Sequence, residues 1–199
     1  GAEAERPVLV ARESELERLH TYLDAAKAGS GQVVFITGEA GQGKSALSSS
    51  FAGSANIAHD DLIVVSGKCN AQTGIGDPYL PFREVLSMLT GDIEAKWRAK
   101  AVTRDHAIRL WNFLPVSVRA LLDSGPGLID TFVEGRAIVA RALTYSSGNE
   151  EWLTGLRKLV DIRESGRAVS SLQQSDFFEQ YARVLRLLAV RKPLLIILD

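Results

Sequence analysis

With 199 residues, the chain is long enough for one domain with its own core, or for one domain with a sizeable insertion. Its composition of 46% hydrophobic and 24% charged residues is ordinary for a globular protein. A net charge of −1 gives no electrostatic reason to expect nucleic acid or an anionic membrane surface as a partner. No apolar run reaches the length of a membrane span, and the acidic first residues do not resemble a signal peptide.

The single cysteine, Cys69, allows no internal disulfide and favours a reducing compartment. We therefore expect a cytoplasmic protein. No histidine stands near Cys69 in a recognisable nucleophile pattern, so we expect this side chain to be a small buried hydrophobe.

The first part of the chain predicts a helix followed by an α/β unit. Apolar residues recur at helical spacing from Leu16 to Ala26. The segment QVVFITG, residues 32–38, is apolar on both faces and rich in β-branched residues, which is typical of a buried parallel strand. A glycine-rich turn, a short helix starting at KSALSSSFAG, and a second strand, DLIVVSG at 61–67, follow. Strand, helix and strand within about 35 residues predict a βαβ unit.

The middle of the chain has mostly helical periodicity and is too long for a plain crossover between strands. We predict a helical insertion over residues 90–175, in which the segment TFVEGRAIVARALTYSSGN is compatible with either helix or strand. Ser175 is a suitable N-cap for a last helix, which Pro193 must end. The segment LLIILD, residues 194–199, is then predicted to be a buried strand.

Residues 38–45 read GEAGQGKS, which is the phosphate-loop pattern G-x-x-x-x-G-K-S between a predicted strand and a predicted helix. Glycines allow successive backbone N–H groups to converge on one anion, and the helix directs its N-terminal N–H groups and its dipole at the same point. Lys44 would reach the β- and γ-phosphate oxygens, and the Ser45 hydroxyl would bind Mg²⁺. The predicted nucleotide contacts in this segment are Gly38, Glu39, Ala40, Gly41, Gln42, Gly43, Lys44, Ser45 and Ala46.

An acidic residue completes this pattern at the other end of the chain. P-loop NTPases hold Mg²⁺ partly through an aspartate at the end of a hydrophobic strand, and Asp199 ends LLIILD. We therefore predict ATP or ADP with Mg²⁺ as cofactors. Ser45 and Asp199 are the predicted metal ligands, and Lys44 and Asp199 are the predicted catalytic groups.

Four blocks of the chain resemble the STAND class of AAA-like ATPases, as found in large bacterial transcriptional regulators and in proteins with cyclase or tetratricopeptide domains. The blocks are VARESELERL, FITGEAGQGKSAL, VVSGKCNAQTG…PYLPFREVL and FFEQYARVLRLLAVRKPLLIILD. The resemblance implies an α/β fold, the three-layer P-loop NTPase sandwich with a parallel sheet. Residues 1–89 and 176–199 would form the nucleotide-binding core, incomplete at its C-terminus, and residues 90–175 the helical insertion.

The same resemblance implies an ATP-binding regulatory switch in a multidomain signalling or transcriptional regulator, with slow hydrolysis in the full-length protein. Arg12 and Glu13 match the opening block V-G-R-E, with Ala11 in the place of its glycine, and Val8 to Val10 would lie near the adenine. Arg12 is therefore predicted to be a further nucleotide contact.

The family places a second acid after the first, and sensor residues beyond it. We therefore expect the chain that ends at Asp199 to have little ATPase activity by itself. Expected partners are the nucleotide and downstream domains of the same polypeptide, with a nucleotide-dependent homo-oligomer as a further option. Neither a membrane nor direct nucleic-acid binding is expected.

Two other functions remain open from the sequence, a P-loop small-molecule kinase and a nucleotide-dependent scaffold that never hydrolyses ATP. A kinase needs an acceptor pocket and an arginine-bearing lid over the phosphates. Arg83 could face the nucleotide, although PFREVL is more typical of a surface charge on an amphipathic helix. Further arginines lie in the insertion without a recognisable lid pattern: Arg136, Arg141, Arg157, Arg163 and Arg167.

Overall fold

The computed structural model describes residues 12–69, 77–145, 150–165 and 173–199. The elements of these ranges, in chain order, are α1 (Glu13–Lys27), α2 (Lys44–Ala58), β1 (Ile63–Gly67), α3 (Leu80–Leu89), α4 (Glu94–Arg98), α5 (Arg104–Ser124), a 3₁₀ turn (Pro126–Leu128), α6 (Gly135–Tyr145), α7 (Glu151–Glu164), α8 (Gln174–Arg191) and β2 (Leu194–Leu198). None of the helices in these ranges is long and apolar enough to cross a membrane. The predicted adenine neighbours Val8 to Val10, together with Ala11 and Arg167, lie outside the described residues.

Strands β1 and β2 pair in parallel, in a register that places Ile63 opposite Leu194 and Gly67 opposite Leu198. Both strands were predicted from their apolar runs and are confirmed. The pairing continues past β2, since Asp199 N donates to Gly67 O at 3.0 Å and Cys69 N donates to Asp199 O at 2.5 Å. The carboxyl ends of the two strands therefore lie together at one edge of the sheet.

The side chain of Cys69, just after β1, is exposed, so the prediction of a buried hydrophobe is wrong.

The predicted strand QVVFITG is wrong, because residues 32–38 form no strand. Within the described residues, the sheet consists of β1 and β2 alone. The side chains of Val33 and Phe35 are 84% and 85% exposed, while Ile36 packs against the core beside α2. An apolar segment tends to be buried, but it forms a strand only if the backbone of a second strand lies close enough for hydrogen bonds. The parallel pair thus joins β1 to β2, and the predicted βαβ unit over residues 32–67 is not formed.

The two faces of the sheet are covered by different helices. Ile63 and Val65 of β1 belong to a large apolar cluster with α3, α5, α6, α7 and α8. Val64, which points the other way, belongs to a smaller cluster with α1 and α2. Successive strand residues face opposite sides of a sheet, so each side of β1 buries its own helical layer.

The edge of β1 that faces away from β2 is closed by side chains of the helices. His106 Nε2 donates to Val64 O at 2.7 Å, and Lys68 N donates to Glu84 Oε2 at 2.9 Å. Between them, Ser66 N lies 3.4 Å from the Met88 sulfur. These contacts satisfy backbone groups that would otherwise pair with another strand, so the sheet ends at β1 on this side.

The helical prediction for the middle of the chain is confirmed in its described part. Within the ambiguous segment TFVEGRAIVARALTYSSGN, residues Gly135–Tyr145 form helix α6, whose first residue donates its N–H to Asp130 Oδ1 at 2.8 Å. The last four residues of the segment lie outside the described residues. Helix α8 begins earlier than predicted, because Gln173 rather than Ser175 is its N-cap, in a reciprocal capping box with Asp176. Trp152 is buried, whereas Trp97 is 43% exposed.

A pH dependence of stability follows from the burial of His106, which lowers the pKa of its imidazole from the ordinary value of 6.5. The unfolded chain therefore binds the proton more readily than the folded one. The free energy of unfolding should fall as the pH decreases below about 6.5, until the pH reaches the lowered pKa of the folded state.

The variant His106→Gln keeps an N–H donor at the same reach but cannot titrate. Urea unfolding between pH 5 and pH 7.5 should give a shallower pH dependence for this variant than for the unaltered chain. Equal slopes for the two proteins would show that His106 does not couple folding to protonation.

Candidate nucleotide-binding site

The loop GEAGQGKS leads directly into α2, as the motif requires. Gly43 is the N-cap of the helix with φ 76°, and Gly41 has φ 80°, both in the left-handed region that favours glycine. Lys44 Nζ donates to Gly38 O at 2.9 Å and to Glu39 O at 2.8 Å, so the lysine lies back over the loop. The N–H groups of the first helical turn have no intrahelical acceptor. The loop therefore surrounds a point at which backbone donors, a helix N-terminus and a lysine converge.

Hydrogen bonds between Gln42 and Glu39 help to fix this loop. Glu39 N donates to Gln42 Oε1 at 3.1 Å, and Gln42 N donates to Glu39 O at 3.3 Å. Arg12, just before α1, donates from its guanidinium to the backbone oxygen of Gln42. The structure thus places Arg12 against the phosphate loop, and its predicted contact with the nucleotide itself stays a prediction.

Ser45 and Asp199 meet although they are 154 positions apart, since Ser45 Oγ donates to Asp199 Oδ1 at 3.0 Å. Ser45 lies in the first turn of α2, and Asp199 is held at the end of β2 by its backbone pairing with Gly67 and Cys69. The two predicted metal ligands are therefore neighbours.

This donor set fits Mg²⁺. A hydroxyl and a carboxylate offer the hard oxygen ligands that the ion prefers, and Mg²⁺ is commonly bound by one or two carboxylates together with substrate phosphates. Among the residues that the structure describes, no group of three or more His, Cys, Asp or Glu residues could hold a metal by itself. The chemistry of the pair therefore favours a shared site with a nucleotide over an all-protein metal site.

Four of the arginines considered for a kinase lid have hydrogen-bond or ion-pair partners away from the phosphate loop. Arg83 forms an ion pair with Asp77 at 2.8 Å, donates to Thr131 O, and lies over the ring of Phe132. Arg83 is thus engaged by an acid, a backbone oxygen and an aromatic ring. Three others bind partners in the helical region: Arg136 binds Glu164, Arg141 binds Thr90 O, and Arg163 binds Pro126 O. Among the described residues, none of these four hydrogen-bonds to residues 38–45.

Arg109 of α5 was not identified from the sequence. It donates to the backbone oxygens of Asn56 and His59, both at 2.7 Å, and of Leu62 at 3.3 Å. These residues are 47 to 53 positions away along the chain, and the arginine lies in an ordinary helical pattern. No local signal in the sequence distinguishes it from the surface arginines of the same helix.

The glycine loop at the start of α2 and the aspartate at the end of a parallel strand define the class, which is that of P-loop nucleotide-binding domains. The family described as AAA ATPase domain matches residues 8–199, and the chain belongs to this family. No match was found among curated proteins or among solved structures. The predictions of an α/β fold and of nucleotide binding are confirmed at this level.

Proposed function

We propose that the domain binds ATP or ADP with Mg²⁺ and acts as a nucleotide-controlled switch of the STAND class within a multidomain regulator. The observation that carries this proposal is the hydrogen bond of 3.0 Å between Ser45 and Asp199 at the mouth of the glycine loop. These are the two residue types with which P-loop NTPases hold the metal.

Phosphate binding would use the backbone of the glycine loop, the start of α2 and two side chains. The backbone N–H groups from Gly41 to Ala46 and the dipole of α2 would bind the phosphate oxygens. Lys44 would exchange the carbonyls of Gly38 and Glu39 for charged oxygens, which form stronger hydrogen bonds. Ser45 and Asp199 would hold Mg²⁺, which would neutralise part of the phosphate charge.

The proposal includes two further parts, the full three-layer sandwich fold and the role as a switch. Helices cover both faces of β1, and the edge of β2 away from β1 carries no strand among the described residues, so a larger sheet is sterically possible. Exchange or hydrolysis of the nucleotide would reposition helical parts against other domains. The cytoplasmic location, the downstream partners and nucleotide-dependent self-association stay predictions.

Calorimetric titration with ATP, in the presence of Mg²⁺ and in the presence of EDTA, tests the proposal. We expect saturable binding that Mg²⁺ strengthens. The absence of binding under both conditions would overturn the proposal, and a clear preference for GTP would overturn its adenine specificity.

We expect the 199-residue chain to hydrolyse ATP slowly, on the order of 0.01 per second or less. Among the described residues, Asp199 is the only carboxylate that hydrogen-bonds to a side chain of residues 38–45, and in this proposal it is used to hold the metal. Phosphate release under single-turnover and steady-state conditions measures the rate. Turnover of several per second would contradict this expectation and show an enzyme complete in itself.

A further inference from the structure

Arg109 lies at the end of α2 that is opposite to the phosphate loop. Its half-buried guanidinium binds the carbonyl of Asn56, one of those that the end of a helix leaves without an intrahelical partner. It also binds the carbonyl of the C-cap residue His59, which accepts a second hydrogen bond from Leu62 N at 3.2 Å. A cation at this position also complements the negative end of the helix dipole. The third contact, to Leu62 O, fixes the turn between α2 and β1. One side chain of α5 thus holds both the end of α2 and the entry to β1.

Helix α2 carries the phosphate loop at its other end. It runs from Lys44 to Ala58 without interruption, and 15 residues give a rod of about 22 Å. If α2 moves as a rigid unit, a displacement at Asn56 is transmitted to Lys44 and Ser45 as well. The position of the loop therefore depends on how the carboxyl end of α2 is held.

Helix α5 also holds the strand pair that positions Asp199. One turn before Arg109, His106 binds Val64 O in β1. Strand β1 in turn receives the Asp199 N–H at Gly67 O, in the ladder that it forms with β2. The same helix therefore contacts α2, which carries Ser45, and β1, which pairs with the strand that Asp199 follows.

We propose that Arg109 is a positioning residue for the nucleotide site and couples it to α5 and to the helices α6, α7 and α8, which share a core with α5. The inference rests on the proposed nucleotide binding. Without Arg109, the C-terminal end of α2 loses its hydrogen bonds to α5. The distance between Ser45 and Asp199 is then no longer restrained from that end of α2. By thermodynamic linkage, the bound nucleotide must restrain α5 to the same extent that α5 favours binding.

The variant Arg109→Gln tests this coupling, with ATP affinity in Mg²⁺ measured by calorimetry well below the unfolding temperature. We expect the Kd to rise about fivefold or more, the lower range of typical coupling between sites. Arg109→Lys keeps the charge but not the planar fork, so it should give an intermediate Kd.

Arg163→Gln is the matched control. Arg163 is also half-buried and also donates to two backbone oxygens, those of Ile129 and Pro126, but its contacts lie within the helical region. If Arg109 only stabilises the fold, both variants should lower the Tm and neither should change the Kd. That result would overturn the proposal.

Amide hydrogen exchange of the unaltered chain keeps the proposal testable if Arg109→Gln does not fold. Saturation with ATP and Mg²⁺ should slow exchange in residues 56–62 and 104–112, and leave α7 unchanged. Slower exchange confined to residues 38–46 would overturn the coupling alone. An unaltered chain that shows no ATP binding at all would overturn the proposed function, and this inference with it.

Discussion

Replacing Lys44 by alanine should weaken ATP binding by roughly ten- to more than a hundredfold, because a hydrogen bond to a charged group contributes about 1.5–3 kcal/mol. Among the described residues, the ammonium group donates to the carbonyls of Gly38 and Glu39. Its removal should therefore cost little in folding and most of its effect should appear in binding.

Calorimetric titration of Lys44→Ala with ATP and Mg²⁺ measures this loss. Lys158→Ala, which removes an exposed lysine from α7, is the matched control and should bind ATP like the unaltered chain. Equal affinity for Lys44→Ala and the control would contradict the assignment of GEAGQGKS as the phosphate loop.

Asp199→Asn should remove most of the Mg²⁺-dependent gain in ATP affinity, a loss of about tenfold or more. The amide has the shape of the carboxylate and can still accept the Ser45 hydrogen bond, but it lacks the negative charge that favours a divalent cation. The pairing of β2 with β1 depends on the backbone of Asp199, so we expect the Tm to change little.

The measurement for Asp199→Asn is the ratio of ATP affinities with Mg²⁺ and with EDTA. Asp24→Asn changes an exposed aspartate of α1 by the same chemistry and should leave this ratio unaltered. If Asp199→Asn keeps the full Mg²⁺ dependence, then Asp199 is not a metal ligand and the metal is held by other groups.

The helices in the middle of the chain show what hydrophobic periodicity can predict and what it cannot. Residues 104–124 carry apolar positions at helical spacing, and they form one continuous helix. The same pattern does not distinguish Arg109, which binds α2, from Arg119, which is exposed. Periodicity records which face of a helix is apolar, and it contains no information on which partner a polar residue of that face will find.

The segment QVVFITG shows the corresponding limit for predicting strands from the sequence. Like LLIILD it is a short and mainly apolar segment, yet of the two only LLIILD contains a strand, Leu194–Leu198. The difference lies outside both segments, in the neighbouring backbone: β2 has β1 beside it in register, and residues 32–38 have no ladder partner in the described sheet. Strand formation is a property of pairs, which one segment read by itself cannot reveal.

The sequence by itself determined the features that depend on neighbouring residues. These are the glycine loop at residues 38–45, the start of α2 at Lys44, and the strands that end near Gly67 and at Leu198, because backbone freedom, capping and apolar runs act over a few positions. Only the tertiary structure decided which strands pair, how His106 closes the edge of β1, and where Arg109 holds α2. Those contacts join residues more than 40 positions apart, and they form because buried carbonyls must find donors that the packing of whole helices brings to them.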